Sequence, residues 1–302
     1  MLAISKFFTI LFILIVFYTR TLGDSGILYR ITPCDIVGAL AIGFYALSGR
    51  KLNLKFFWYV TLFIGALFIG GLFGFNIAQS MIEVLIVVFL FLVFLVIIGH
   101  FNSENGLQEL IVYFALGSIL ASMLGFYDFF ASITGLPRLF PEGKIGDIQT
   151  AFRNSGSAGA YALIALTILI PVRVSKFYNL FDLKQQRIIH YGVLATFLLL
   201  LLTGKMAAYI GFTVGFIGLL FFLRTSRAFF IALLLACLSL FVFTNLEKIA
   251  PDVAGRILSK YNTRIGVNLR GKIVIVNEDQ FIGKNLRDAI DAFSDNPLTG
   301  SG

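Results

Sequence analysis

Long apolar runs separated by short polar breaks recur along this chain, at about 5–23, 34–49, 56–75, 78–99, 107–133, 158–175, 188–204, 206–223 and 228–245. Most approach or exceed about 18 residues, the length at which a helix crosses a bilayer. Lipid offers backbone amides and carbonyls no partner, so each run is expected to satisfy its own hydrogen bonds as a helix. The pattern therefore predicts an all-α fold, a polytopic integral membrane bundle of about nine transmembrane helices. The closest decision falls at Gly204 and Lys205, where a very short break separates two runs. Together those runs hold about 36 residues, too long for one crossing, and a tight hairpin is expected there. Met1 to Gly23 could mimic a signal peptide. No small-residue cleavage pattern follows it cleanly and many further runs do, so it reads as a first transmembrane helix.

The pattern changes after Leu246. Residues 246–302 read as ordinary polar sequence, and KNLRDAIDAF within them sets Leu286, Ile290 and Phe293 on one helical face before a turn at Asp295-Asn296-Pro297. Two regions result, a transmembrane helical domain over 1–245 and an extracytoplasmic loop over 246–302. Inside the spans, Gly70 with Gly74 and Gly211 with Gly215 have GxxxG spacing, which permits close helix contact.

Composition strengthens this picture. The chain is 58% hydrophobic and only 13% charged, whereas soluble domains are about one quarter charged. The net charge of +8 does not point to nucleic acid, because the basic residues are scattered between apolar runs and form no stripe. They sort by topology instead. With Met1 in the cytoplasm, inner segments carry ten basic residues, from Lys6 to Arg227, and the short outer loops six: Arg20, Arg30, Arg138, Lys144, Arg153 and Lys205. That excess predicts a cytoplasmic N-terminus, and nine crossings put 246–302 outside.

Charges at span ends are the candidate chemistry, because charge near lipid is costly. Asp35, Glu83, Asp128, Arg153 and Lys205 all fall near predicted outer ends. Each taken singly reads first as an interfacial charge reaching to water. Arg153 and Lys205 point further, since cations beside a dry cavity can bind a lipid diphosphate and stabilise it as a leaving group. Asn154 and Tyr161 lie close enough to Arg153 in sequence to lend hydrogen bonds. His100 and His190 fall at predicted inner ends and read as structural. Cys34 and Cys237 have no CxxC spacing and no nearby histidine pair, so neither a disulfide framework nor a metal site is expected. No HExxH, GxSxG, phosphate-binding or dinucleotide-binding pattern stands in a supporting context, and no cofactor is expected.

Three separated segments carry a resemblance. AFRNSGSAGAYALIALTILIP resembles the F-x-N-P-N-x-x-A-G-Y segment and following helix of bacterial O-antigen ligases and O-antigen polymerases. LLTGKMAAYIGF resembles their T-x-S-R-G-A-x-x-G segment, and the ending DNPLTGSG resembles their D-H-P-L-x-G-x-G motif in the large outer loop. The departures are Ser155 and Gly156 in place of proline and asparagine, Lys205-Met206 against a Ser-Arg pair, and Asn296 in place of histidine.

The resemblance implies a metal-free inverting glycosyltransferase of cell-surface polysaccharide biosynthesis. Such an enzyme transfers a glycan from undecaprenyl diphosphate, at the outer face of the membrane, to lipid A core or to another glycan chain. It implies Arg153, Lys205, Asn154, Tyr161 and Arg287 as substrate-binding residues, with the catalytic base a histidine beyond Gly302, so that the chain is expected to stop within the catalytic loop and to lack turnover by itself. The implied partners are the lipid-linked glycan donor, a lipid or glycan acceptor and membrane lipids. A transporter is the competing expectation, since a bicarbonate-uptake-like protein shares the pattern, and a non-catalytic membrane scaffold is a third.

Overall fold

The computed structural model describes residues 1–22, 31–50, 57–72, 77–137, 152, 155–203 and 206–223. Every regular element among them is helical. Eight α-helices occur in order: α1 Leu2–Ile15, α2 Pro33–Leu47, α3 Phe57–Leu72, α4 Ile77–His100, α5 Glu104–Thr134, α6 Ser155–Val174, α7 Leu183–Thr203 and α8 Met206–Leu223. They fall on the first eight apolar runs. The ninth run, 228–245, and the loop 246–302 lie outside the described residues.

Among the described residues, four stretches are long and apolar enough to cross a membrane: Ser80–His100, Glu104–Ala131, Gly156–Val174 and Leu183–Thr203. These helices are compatible with a multi-pass membrane protein. The first run departs from expectation. It was predicted over about 5–23, but α1 stops at Ile15. Fourteen residues at 1.5 Å each make about 21 Å, short of a hydrocarbon core of about 30 Å. Past Ile15, β-branched Thr19 and Thr21 disfavour helix, and Phe17 leaves the helix to pack into the core, where it is 2% exposed.

The chain divides into two compact units, one holding Met1–Leu47 and the stretch from His100, the other holding Ser48–Gly99. In the second, α3 and α4 meet closely: a Cβ added at Gly71 would come within 2.9 Å of the Met81 side chain. In the first unit, α5 packs along α7, α6 along α7 and α8, and α1 along α2 and α5.

Side-chain pairs give the directions. Ser118 meets Tyr161 while Ile111 and Leu169 share a cluster, so α5 and α6 are antiparallel. Gly192 faces Ala115 and Ile189 shares the cluster of Ile111, so α5 and α7 are parallel. The expected hairpin at 204–205 is present in its two arms: Phe197 and Phe212 pack with ring centroids 5.7 Å apart, and the Tyr209 hydroxyl donates to the Leu201 carbonyl at 2.6 Å.

Small residues set the closest approaches. A Cβ on Gly117 would lie 3.0 Å from the carbonyl oxygens of Ile13 and Leu14, so α1 crosses α5 almost backbone to backbone. Gly211 faces Leu163 and Gly215 faces Thr167, so this GxxxG pair is the face that α8 turns to α6. Gly74 of the other pair lies outside the described residues.

Candidate functional site

Two polar clusters stand at opposite ends of the first unit, and only one lies beside the predicted site. The first gathers at the start of α1. Ser5 is fully buried and its hydroxyl donates to the Ala41 carbonyl at 2.9 Å. That uses its one proton, so the 2.9 Å contact with His100 has the imidazole Nε2–H donating to Ser5 Oγ. Tyr45 packs edge-on against His100 at 5.2 Å, and Thr9 donates to the Ser5 carbonyl at 2.8 Å. His100 thus ties the start of the unit's second stretch to α1 and α2, a structural role. Beside it, Lys6 pairs with Glu109 at 2.7 Å and lies 5.4 Å from the Phe101 ring centroid.

The second cluster forms where α1 ends and α6 begins. Tyr161 sits among Phe17, Phe152 and Phe114, with centroids 6.0, 5.7 and 6.4 Å away. Its hydroxyl meets Ser118 Oγ at 3.1 Å. Ser118 donates its own proton to the Phe114 carbonyl at 2.9 Å, so the Tyr161 proton must point to Ser118. The hydroxyl is thereby turned into the helix interface, with only acceptor lone pairs left over. Tyr161 accordingly positions the start of α6, and an anion would receive no proton from it in this arrangement. Ser122 extends the polar row, donating to the Ser118 carbonyl at 2.8 Å.

Arg153, Asn154, Lys205 and Arg287 lie outside the described residues. The described chain neighbours of Arg153 and Lys205 do not scatter. Phe152 is fully buried and belongs to one hydrophobic cluster with Phe17, Phe129, Ala158, Leu199, Leu200 and Ala208. This cluster joins the chain just before Arg153 to the two arms flanking Lys205. The register of α6 and α8 adds a second convergence. Leu163 lies opposite Gly211 and Thr167 opposite Gly215, so these helices run parallel. Ser155 is then level with position 203, three residues before Met206, and the two helix starts differ by only about 4.5 Å in height.

The other span-end acids behave differently from one another. Asp35 is a cap. Its carboxylate accepts from the Thr32 amide at 2.7 Å and the Thr32 hydroxyl at 2.8 Å, while its own amide donates to Thr32 Oγ1 at 3.3 Å. This is a reciprocal capping box, with Pro33 at the first helical position. Glu83 is exposed on α4, in the other unit. Asp128, expected as an interfacial charge reaching water, is 1% exposed instead. It is buried because α5 continues to Thr134 and Phe129 turns into the shared cluster.

His190 is exposed on α7, and Cys34 is buried in α2. Among the described residues, no group of three or more His, Cys, Asp or Glu side chains could hold a metal. No family model, curated protein or solved structure matches the chain.

Sequence reasoning missed Phe152, Phe17 and Ser118. Phe152 had a signal, because it is the aromatic that opens the FRN segment; Ser118 had a weaker one, a serine repeated at 122 inside an apolar run.

Proposed function

We propose that this chain is a membrane glycosyltransferase of cell-surface polysaccharide biosynthesis, resembling O-antigen ligases and polymerases. It takes glycan from undecaprenyl diphosphate at the outer face of a bacterial plasma membrane, and a lipid or glycan hydroxyl is the acceptor. In this reading the chain crosses about nine times, with Met1 cytoplasmic and 246–302 outside.

The observation that carries the reading is the pair of parallel helices α6 and α8, which begin side by side at one end. Each helix start offers unpaired amides and a partial positive charge. Arg153 stands two residues before the first helix and Lys205 one before the second. Two cations and two helix starts together favour a diphosphate, and they favour it more as glycosyl departure adds negative charge to it. Asn154 supplies a further donor, and Tyr161 with Phe152 fixes the α6 start. Asp128 is a buried acid near the same end of α5. Arg287, within 246–302, is a further substrate-binding residue in this reading.

The experiment is glycan transfer in membranes carrying Arg153→Ala or Lys205→Ala. Each variant inserts normally and loses transfer by roughly 100-fold or more, the scale of removing one charge-stabilising group. Unchanged transfer in both removes the diphosphate site. The competing transporter reading draws on buried Asp128 within the Glu104–Ala131 span, since intramembrane acids often mark ion paths. Loss of solute uptake in Asp128→Asn, with transfer absent from the parent, favours that alternative.

A further inference from the structure

The connection between α6 and α7 is short, rigid and strongly basic, yet it exposes two leucines. It lies at the Ser5–His100 end of the first unit, the opposite end from Tyr161. A 3-10 turn covers Lys176–Leu180. Phe181 is 3% exposed and packs with Ile111, Leu169 and Ile189, and Phe177 joins the same cluster. Tyr178 is held on both sides: its hydroxyl donates to the Gln186 carbonyl at 2.9 Å, and Arg173 lies 4.2 Å from its ring centroid. The Gln186 amide donates back to the carbonyls of Tyr178 and Phe181 at 3.2 and 2.9 Å. Asp182 and Gln185 close a capping box at the start of α7, at 2.7 and 3.2 Å.

A loop tied this firmly presents a fixed surface. On it, Leu180 is 50% exposed and Leu183 is 75% exposed. Around them Lys176, Lys184 and Arg187 are exposed. Over 173–187 the sequence holds four basic residues and one acidic residue, Asp182, whose carboxylate is engaged in the cap. On neighbouring α5, Glu109 is paired with Lys6, and Glu104 is exposed at the helix start. The flanking helices are candidate spans ending at Val174 and beginning at Leu183, which sets the connection at a membrane surface.

Water is a poor environment for two exposed leucines, and a basic rim gains little from net-neutral zwitterionic headgroups. Together they fit one environment, the boundary where acyl chains meet anionic phosphates. We propose that the Lys176–Arg187 connection is a binding surface for anionic phospholipid headgroups, with Leu180 and Leu183 entering the acyl boundary and Lys176, Lys184 and Arg187 on the phosphates. This surface is separate from the diphosphate site, so either can fail without the other.

The test uses the full chain with Trp58→Phe, which removes its one tryptophan, and Leu180→Trp as the reporter. In phosphatidylcholine nanodiscs, brominated phosphatidylglycerol is compared with brominated phosphatidylcholine at equal fraction. Phosphatidylglycerol quenches more strongly, and Lys176→Gln, Lys184→Gln and Arg187→Gln together abolish the difference, each cation contributing about fivefold in local preference. A Leu183→Trp reporter repeats the measurement should the first variant fold poorly by circular dichroism. Equal quenching by the two lipids, or none by either, overturns the proposal. Erasure of the difference by inorganic phosphate, but not by chloride of equal ionic strength, assigns the surface to free anions and overturns it as well.

Discussion

Adding one carbon at Gly117 should loosen the seam between α1 and α5, and the size of the effect can be worked from the geometry. In Gly117→Ala the new Cβ meets the Ile13 and Leu14 carbonyl oxygens at 3.0 Å and the Leu14 Cα at 3.2 Å. All three are backbone atoms, so no rotamer change relieves the contact. Ordinary separation begins near 3.4 Å, so α1 must retreat by about 0.4 Å. A gap of that size along a packed seam forfeits about a quarter of each dispersion contact, and overpacking of this kind costs about 1–3 kcal/mol. Alanine's better helix propensity returns up to about 1 kcal/mol. The expected net loss is about 0.5–2 kcal/mol.

Gly43→Ala is the control. Nothing lies within 4 Å of its added Cβ, so it keeps the propensity gain without the clash. Both variants are unfolded by dodecyl sulfate in mixed micelles and followed by circular dichroism. Gly117→Ala should fall below the parent and Gly43→Ala should match or exceed it. Equal stability of the two variants would refute the backbone-to-backbone crossing.

Two other outcomes follow from the same geometry, beside the transfer and lipid experiments above. Asp35→Ala should lower stability in the same micelle assay by about 1 kcal/mol, the worth of a helix cap, while leaving glycan transfer intact; a transfer defect at normal stability would return Asp35 to the site. Lys6→Gln should change stability by less than about 1 kcal/mol, because its partner and itself are 44% and 40% exposed and such pairs are screened. A larger loss, or one insensitive to salt, would mean that the pair is shielded from water in the membrane.

The positions of helices α1 to α8 were legible from hydropathy because burial in lipid demands apolar residues on every face, and internal hydrogen bonding leaves helix as the solution. The division of the long apolar stretch into α7 and α8 was legible too, from length alone, and Phe197 of α7 packs against Phe212 of α8. Helix ends were less legible. Hydropathy runs on through Phe17, Tyr18 and Leu22, but tertiary packing takes Phe17 out of α1 and seats it between Phe152 and Tyr161.

The polar residues separate most clearly what each level decides. Sequence alone determined that Asp35, Asp128 and Tyr161 fall near ends of apolar runs, since their places along the runs are fixed by chain order. Only the tertiary structure decided their roles, because a role depends on which neighbour a side chain faces. Asp35 turns back to Thr32 and becomes a cap. Asp128 is buried although it stands near a span end. Tyr161, placed beside Arg153 by sequence, gives its proton to Ser118, 43 residues away on another helix. Periodicity cannot report such a contact, because it records the direction a residue faces on its own helix and not what the next helix brings to meet it.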